Sequence, residues 1–184
     1  VHISGFRQMI KFRILTQNEL PLIWTIDRAE VIDNVYYFRD GKLILEPEHY
    51  DMQGWPSGEP EHYHPHLMDC FERGGFFWGA FEGETLVGVV VLEERFIGSK
   101  SDTIQLKFLH VSHAVRKKGL GRRLFSLAAE QARGMGAAKM YISSTPSENT
   151  VHFYFHLGCR LAEEIDGELF EMEPKDIHLE YRLS

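Results

Sequence analysis

Between Ile104 and Val111 the apolar residues change sides partway along the run. Ile104, Leu106 and Phe108 share one parity, whereas Leu109 and Val111 take the other. Side chains on a strand alternate with a period of two, so such a slip has two sources: a one-residue β-bulge, or burial on both faces. The run is followed by Arg116-Lys117-Lys118-Gly119-Leu120-Gly121, then by Leu120, Leu124, Leu127 and Ala128 at the i, i+4, i+7 and i+8 positions of an amphipathic helix ending near Gly134. Strand, glycine turn and helix in that order require an α/β architecture.

The remaining elements fit around this unit. Ile10–Leu15 reads as a first strand, and Thr16-Gln17-Asn18-Glu19 as a capping box opening a helix with Leu20, Ile23 and Trp24. Val35–Arg39 and Lys42–Leu45 flank Asp40-Gly41, the composition of a type I′ hairpin turn. Residues 46–65, rich in Pro, Gly and Glu, read as a long irregular loop, and a short helix with Leu67, Met68 and Phe71 ends at Gly74. Phe76–Phe81 and Thr85–Phe96 form a second hairpin. Lys139–Ser143 is strand-like, and Thr145-Pro146-Ser147-Glu148 reads as a capping box for a helix stopping at Gly158. Cys159–Ile165 and Ile177–Leu183 read as closing strands.

Composition narrows the function. A chain of 184 residues with 43% hydrophobic content supports one folded domain, expected over residues 10–184 with residues 1–9 as a leader. No apolar run approaches the length of a membrane span, and residues 1–8 have no signal-peptide pattern. Cys70 and Cys159 cannot build a disulfide framework, so they read as packing residues in a cytoplasmic protein. A net charge of −7 argues against nucleic acid as a partner. Its distribution matters more. Between Glu30 and Arg73 ten acids face only Arg39, Lys42 and Arg73, whereas Lys107–Arg123 holds six cations and no acid. The basic stretch suggests an anionic ligand for that site, although on charge alone a solvated charged face is the simpler reading.

The glycine turn is where these readings converge. Unpaired amides at the start of a helix, with its partial positive charge and the cations Arg116, Lys117, Lys118 and Arg122, make a cradle for a diphosphate. Neither a Walker loop nor a Gly-x-Gly-x-x-Gly dinucleotide fingerprint is present. Arg116-x-x-Gly119-x-Gly121, together with Asn149, Tyr154 and Gly158, resembles the GCN5-related N-acetyltransferases. The family's element order, β-α-α-β-β-β-α-β-α-β-β, fits the chain from Ile10 onward.

The resemblance implies an α/β (mixed α+β) fold with a single, mostly antiparallel mixed sheet, splayed at its fourth and fifth strands, with helices on both faces. It implies acetyl-CoA as co-substrate in the splay and no metal. The backbone of Leu109, His110 and Val111 would pair with the pantetheine arm, the segment Arg116, Lys117, Lys118, Gly119, Leu120, Gly121 and Arg122 would hold the pyrophosphate, and Asn149 would contact the coenzyme. Tyr154 would protonate the departing thiolate. The glutamate that some members carry on the fourth strand is replaced by Gln105, so the base is open: His110 is the first choice, with His113, Glu94 and Glu148 beside it.

The expected reaction is acetyl transfer by direct attack of an amine. The preferred acceptor is a cationic small molecule, with a protein or peptide amine as the alternative. A non-catalytic acyl-CoA sensor is the reading from another class, and a homodimer is left open. His62-x-His64-x-His66 would align three imidazoles on an extended strand, but Pro60 and Pro65 favour a loop near the acceptor pocket over a metal site. Tyr50, Trp55 and Tyr63 read either as loop anchors or as a cation-stacking wall.

Overall fold

A computed structural model describes residues 9–183, so the expected leader lies almost wholly outside the described residues. Seven strands form one sheet in the order β1-β4-β5-β6-β7-β9-β8, where β1 is Ile10–Ile14, β4 Phe76–Glu82, β5 Thr85–Ile97, β6 Thr103–Val111, β7 Lys139–Ser144, β8 Arg160–Leu161 and β9 Ile177–Arg182. Only β6 and β7 run parallel; every other neighbouring pair is antiparallel. A separate hairpin joins β2 (Glu30–Arg39) to β3 (Lys42–Met52). Its two-residue turn has φ of 50° at Asp40 and 75° at Gly41, the left-handed pair that a type I′ turn requires.

Helices cover both faces. On one, α2 (Leu120–Gly134) buries Leu120, Leu124, Phe125, Leu127 and Ala128 as its sequence spacing predicts. Leu124 is fully buried, and such a side chain contributes about 1.5–3 kcal/mol. Helix α3 (Glu148–His156) adds Val151 and Tyr154 to the same core. On the other face, a 3-10 helix (Gln17–Thr25) and α1 (Glu59–Glu72) pack Leu20, Ile23, Leu67 and Cys70 against Phe77, Val89 and Phe108.

The parity change has a single cause. Val91 pairs with Phe108 and Leu92 with Leu106, so Lys107 is an extra residue bulged out of β6. Ile104 and Leu106 therefore face α2, Phe108 joins the opposite core, and Leu109 and Val111 return to the α2 side. Lys107 is held there by Glu93 (Nζ to Oε1 2.9 Å), which Arg73 also grips at 3.0 Å. Burial alone would raise the Glu93 pKa, but its bonds to Arg73 and Lys107 outweigh burial and hold it at about 2. The pair thus stabilises the fold above the ordinary glutamate value of 4.5 and loses that contribution as pH falls toward 2. Arg73→Ala is expected to cost about 3 kcal/mol in urea unfolding at pH 7, at the low end for a broken buried pair because Lys107 remains. An unchanged urea midpoint would show that the bulge does not need this clamp.

Several expectations change. Residues 46–65 are not a loop: β3 continues to Met52, and α1 begins at Glu59 with Pro60 in its first turn, where a missing amide does no harm. The segment after Thr16 is 3-10 rather than α, with Pro21 inside it, although Glu19 does bond back to the Thr16 amide at 2.9 Å. The cap of α3 is Ser147, whose side chain accepts from the Thr150 amide, so Thr145 and Pro146 precede the helix. The expected strand over residues 159–165 shrinks to β8, and the short helix α4 (Gly167–Met172) follows. The hairpin β2–β3 also interrupts the family's element order between its first two helices.

Candidate active site

Strands β6 and β7 pair only from Thr103 to Gln105, opposite Lys139 to Tyr141. Beyond that point they diverge, and a cleft of about 1520 Å³ opens between Leu106–Val111 and Ile142–Ser144. That volume exceeds the roughly 300–1,000 Å³ of ordinary small-molecule sites, which leaves room for two ligands meeting inside it.

The glycine turn stands at one end. Lys117 (φ 62°) and Gly119 (φ 84°) adopt left-handed backbone around Lys118, and among the described residues the amides of Lys117 to Arg122 have no backbone or side-chain acceptor. Gly119 is needed for its φ: a Cβ there meets nothing within 4 Å. Gly121 is needed for space, because a Cβ would lie 3.1 Å from the Phe153 ring of α3. The cations divide. Arg116 is spent on backbone carbonyls, with Nε to Val111 O at 2.9 Å and Nη1 to Ala29 O at 2.8 Å. It therefore fastens the turn to the segment before β2 rather than presenting a free charge, and it occupies the Val111 carbonyl. Lys107 belongs to Glu93, whereas Lys117, Lys118 and Arg122 make no salt bridge among the described residues. Leu120 turns its side chain into the core, so only its amide can serve a ligand.

Tyr154 and Asn149 reach the cleft from α3, and Leu109, His110 and Val111 line it from β6. Tyr154 is 5% exposed, and its hydroxyl has no hydrogen-bond partner among the described residues. Burial, with lesser help from Cys159 and Asp176, raises its pKa, so the phenol is protonated at neutral pH. The Asn149 amide lies against the hairpin, 3.3 Å from Glu30 Oε1.

The expected bases fare differently. His110 is packed against Trp55 and Phe108, with ring centroids 4.9 and 4.4 Å away. Burial, then the Arg28 and Arg116 charges, push its pKa down to about 3, which leaves a poor proton acceptor. Glu94 is bonded to Arg73, Glu148 accepts from Asn34 at 2.7 Å, and His113 Nδ1 lies 3.0 Å from Ala29 O.

The cleft also carries carboxylates: Glu30 lies beside Asn149, and Glu59, Glu173 and Asp176 line it as well. Glu59 is paired with Arg28 at 2.6 Å, and Glu173 accepts a bond from the Tyr63 hydroxyl. Glu173 and Asp176 come from the turn before β9, outside the acidic stretch noticed in the sequence. Nothing local in Glu173-Pro174-Lys175-Asp176 distinguishes it from a surface loop; only the β7–β9 pairing brings it to the cleft. Of the three aromatics, Tyr63 alone lines the cleft. Trp55 is an anchor, stacked on Phe108 at 5.8 Å with the Arg28 guanidinium 5.1 Å from its own ring centroid, and Tyr50 is exposed on the hairpin. The histidine triplet lies on α1, which turns His62 and His66 to one side and leaves His64 accepting from Trp24 Nε1 at 3.0 Å.

A sheet splayed beside a bulged strand, with an amide cradle at the mouth of the splay, defines the acyl-CoA N-acyltransferase class of folds. The model of the acetyltransferase (GNAT) family matches residues 42–159, and the chain belongs to that family. It is 34% identical over 111 residues to the uncharacterised N-acetyltransferase YjgM of Escherichia coli K12, covering 57% of this chain and 64% of that one. It is 28% identical over 105 residues to YvbK, an uncharacterised N-acetyltransferase of Bacillus subtilis 168, covering 56% and 64%. The chain thus spans a little under two thirds of the length of these curated relatives. Among solved structures, nourseothricin acetyltransferase superposes with a TM-score of 0.70 at 17% identity, covering 95% of this chain and 99% of that one. A streptothricin acetyltransferase assignment from Bacillus anthracis, solved with acetyl coenzyme A, gives 0.68 at 14%, covering 95% and 98%. Among the described residues no helix is long and apolar enough to cross a membrane.

Proposed function

We propose that this chain, as a single domain over residues 10–184, transfers the acetyl group of acetyl-CoA to the amine of a cationic small molecule by direct attack. One observation carries this reading: the cleft between β6 and β7 is lined by unpaired amides and free cations of the glycine turn, by carboxylates, and by the partnerless Tyr154 hydroxyl.

Each group has its task. The amides of Lys117 to Arg122, with the side chains of Lys117 and Arg122, hold the pyrophosphate; Lys118 adds charge from outside the lining. The β7-facing edge of Leu109–Val111, left unpaired by the splay, offers main-chain groups to the pantetheine arm, although Arg116 already holds the Val111 carbonyl. Asn149 closes over the coenzyme from α3. Tyr154 donates its proton to the departing sulfur, a step worth about 10²–10⁴-fold in rate. Holding amine and thioester together contributes about 7–11 kcal/mol more. Glu59, Glu173 and Asp176 give the acceptor site a negative potential that favours a cation. A fold neighbour named for nourseothricin makes that antibiotic a sensible test acceptor.

The test is thiol release from acetyl-CoA with spermidine, lysine amide, nourseothricin and a lysine-containing peptide. Turnover with the small cations exceeding that with the peptide supports the reading. Faster turnover with the peptide would move the acceptor class to protein amines, and binding of acetyl-CoA without any turnover would favour a sensor.

A further inference from the structure

An alkyl amine has a pKa near 10, so about one molecule in a thousand or fewer is neutral at pH 7. Its ammonium form must lose a proton before attack, and the residues expected to take it are occupied or poorly basic. Asp176 in the cleft keeps a free acceptor oxygen on a carboxylate whose other oxygen is fixed. Asp176 ends the turn before β9, its amide bonded to Glu173 O at 3.1 Å. Ser143 Oγ at the end of β7 donates to Asp176 Oδ2 at 2.8 Å, and Oδ1 has no partner among the described residues. Of the other acids lining the cleft, Glu59 has both oxygens on Arg28, Glu173 accepts from the Tyr63 hydroxyl through Oε1, and Glu30 accepts from Asn149 through Oε1.

A second, independent feature points to a ligand at the same place. The Tyr154 hydroxyl, 95% of its residue's surface buried, lines the cleft with nothing to bond. Its oxygen faces the open cleft, where a ligand can accept its proton. Asp176 and Tyr154 both line this cleft. An acceptor of protons and a donor of protons thus face one space.

We propose that Asp176 is the catalytic base of this enzyme: its free Oδ1 removes a proton from the acceptor's ammonium while Ser143 fixes Oδ2. The proposal rests on the acetyl-transfer reading. One ammonium proton passes to Asp176 and later to water. The freed nitrogen lone pair forms the C–N bond to the acetyl carbon, the C–S bond breaks, and the sulfur takes the Tyr154 proton. The second proton released by nitrogen restores Tyr154. Amide, thiol and one proton in solution balance ammonium and thioester.

The surroundings suit this duty. Burial is the largest influence on Asp176; Glu173 from its own turn and Glu59 from α1 also raise its pKa, whereas the Ser143 bond and Arg28 lower it, and the result is about 6. A base of that strength is ionised at pH 7 and strong enough to share a proton with an amine, as His110 at about 3 is not.

The experiment compares wild type, Asp176→Asn and Ser143→Ala in acetyl transfer to the fastest amine of the panel, from pH 5 to 10, with coenzyme A affinity measured by calorimetry. Wild-type kcat/KM should climb to a plateau through an apparent pKa near 6. Asp176→Asn should lose about 10²-fold or more in kcat with coenzyme affinity unchanged, and its rate should keep rising toward the amine's own pKa. Ser143→Ala should move the acidic limb upward, because the lost bond favoured the carboxylate. Wild-type kcat in Asp176→Asn, or an acidic limb unmoved by both substitutions, overturns the assignment and leaves acetyl transfer intact. No turnover by wild type with any amine overturns the transfer reading and the assignment with it.

Discussion

Replacing Gly119 with aspartate should abolish coenzyme A binding while leaving the protein folded. The two consequences separate because of the geometry at this residue. Gly119 has φ of 84°, and a Cβ there meets no atom within 4 Å, so the folding cost is backbone strain alone, about 1–2 kcal/mol. Asp and Asn tolerate that conformation better than most residues, which keeps the cost low. The carboxylate, however, would lie among the unpaired amides of Lys117 to Arg122 and take their bonds from the incoming pyrophosphate. Each charge-assisted bond is worth about 1.5–3 kcal/mol, so losing two exceeds a hundredfold in affinity. Gly119→Asn has the same shape and no charge, and it should bind within about tenfold of wild type. Equal losses in both variants would mean that the turn's shape matters and its positive field does not.

The second large effect concerns Tyr154→Phe. Its kcat should fall by about 10²–10⁴-fold with little change in coenzyme affinity, since the ring stays and only the proton donor leaves. Stability gives the sharper signature. Removing a buried hydroxyl that bonds to a neighbour destabilises a protein, but this hydroxyl has no partner among the described residues. Thermal melting should therefore be unchanged or slightly higher in the variant. A marked drop in Tm would reveal a structural bond and remove the case for a donor held in reserve.

How far the sequence disclosed all this depends on whether the signal was local. The α2 stripe, the Asp40-Gly41 turn and the glycine turn are local, and each appears where its residues place it. The parity change in β6 was legible as well, though its bulge falls at Lys107 and sends Phe108 to the face opposite Leu106, which strict alternation could not reveal. Composition is a poor guide over residues 46–65, because Pro47 lies within β3 and Pro65 within α1, and only Gly54, Pro56, Gly58 and Pro60 mark the strand end and the helix start. Charge counting was the weakest guide to the site. Arg116 and Lys107 counted toward a phosphate site, yet one binds carbonyls and the other Glu93. Asp176 drew no notice, since its place beside Ser143 depends on the pairing of β7 with β9 across more than thirty residues of chain.

Calorimetric titration of acetyl-CoA into the purified protein bears most directly on the claim that the splay between β6 and β7 is a coenzyme site. A saturating isotherm with one site per chain, lost in Gly119→Asp and kept in Gly119→Asn, is the expected result. Heats that stay at the dilution baseline up to millimolar nucleotide would contradict it.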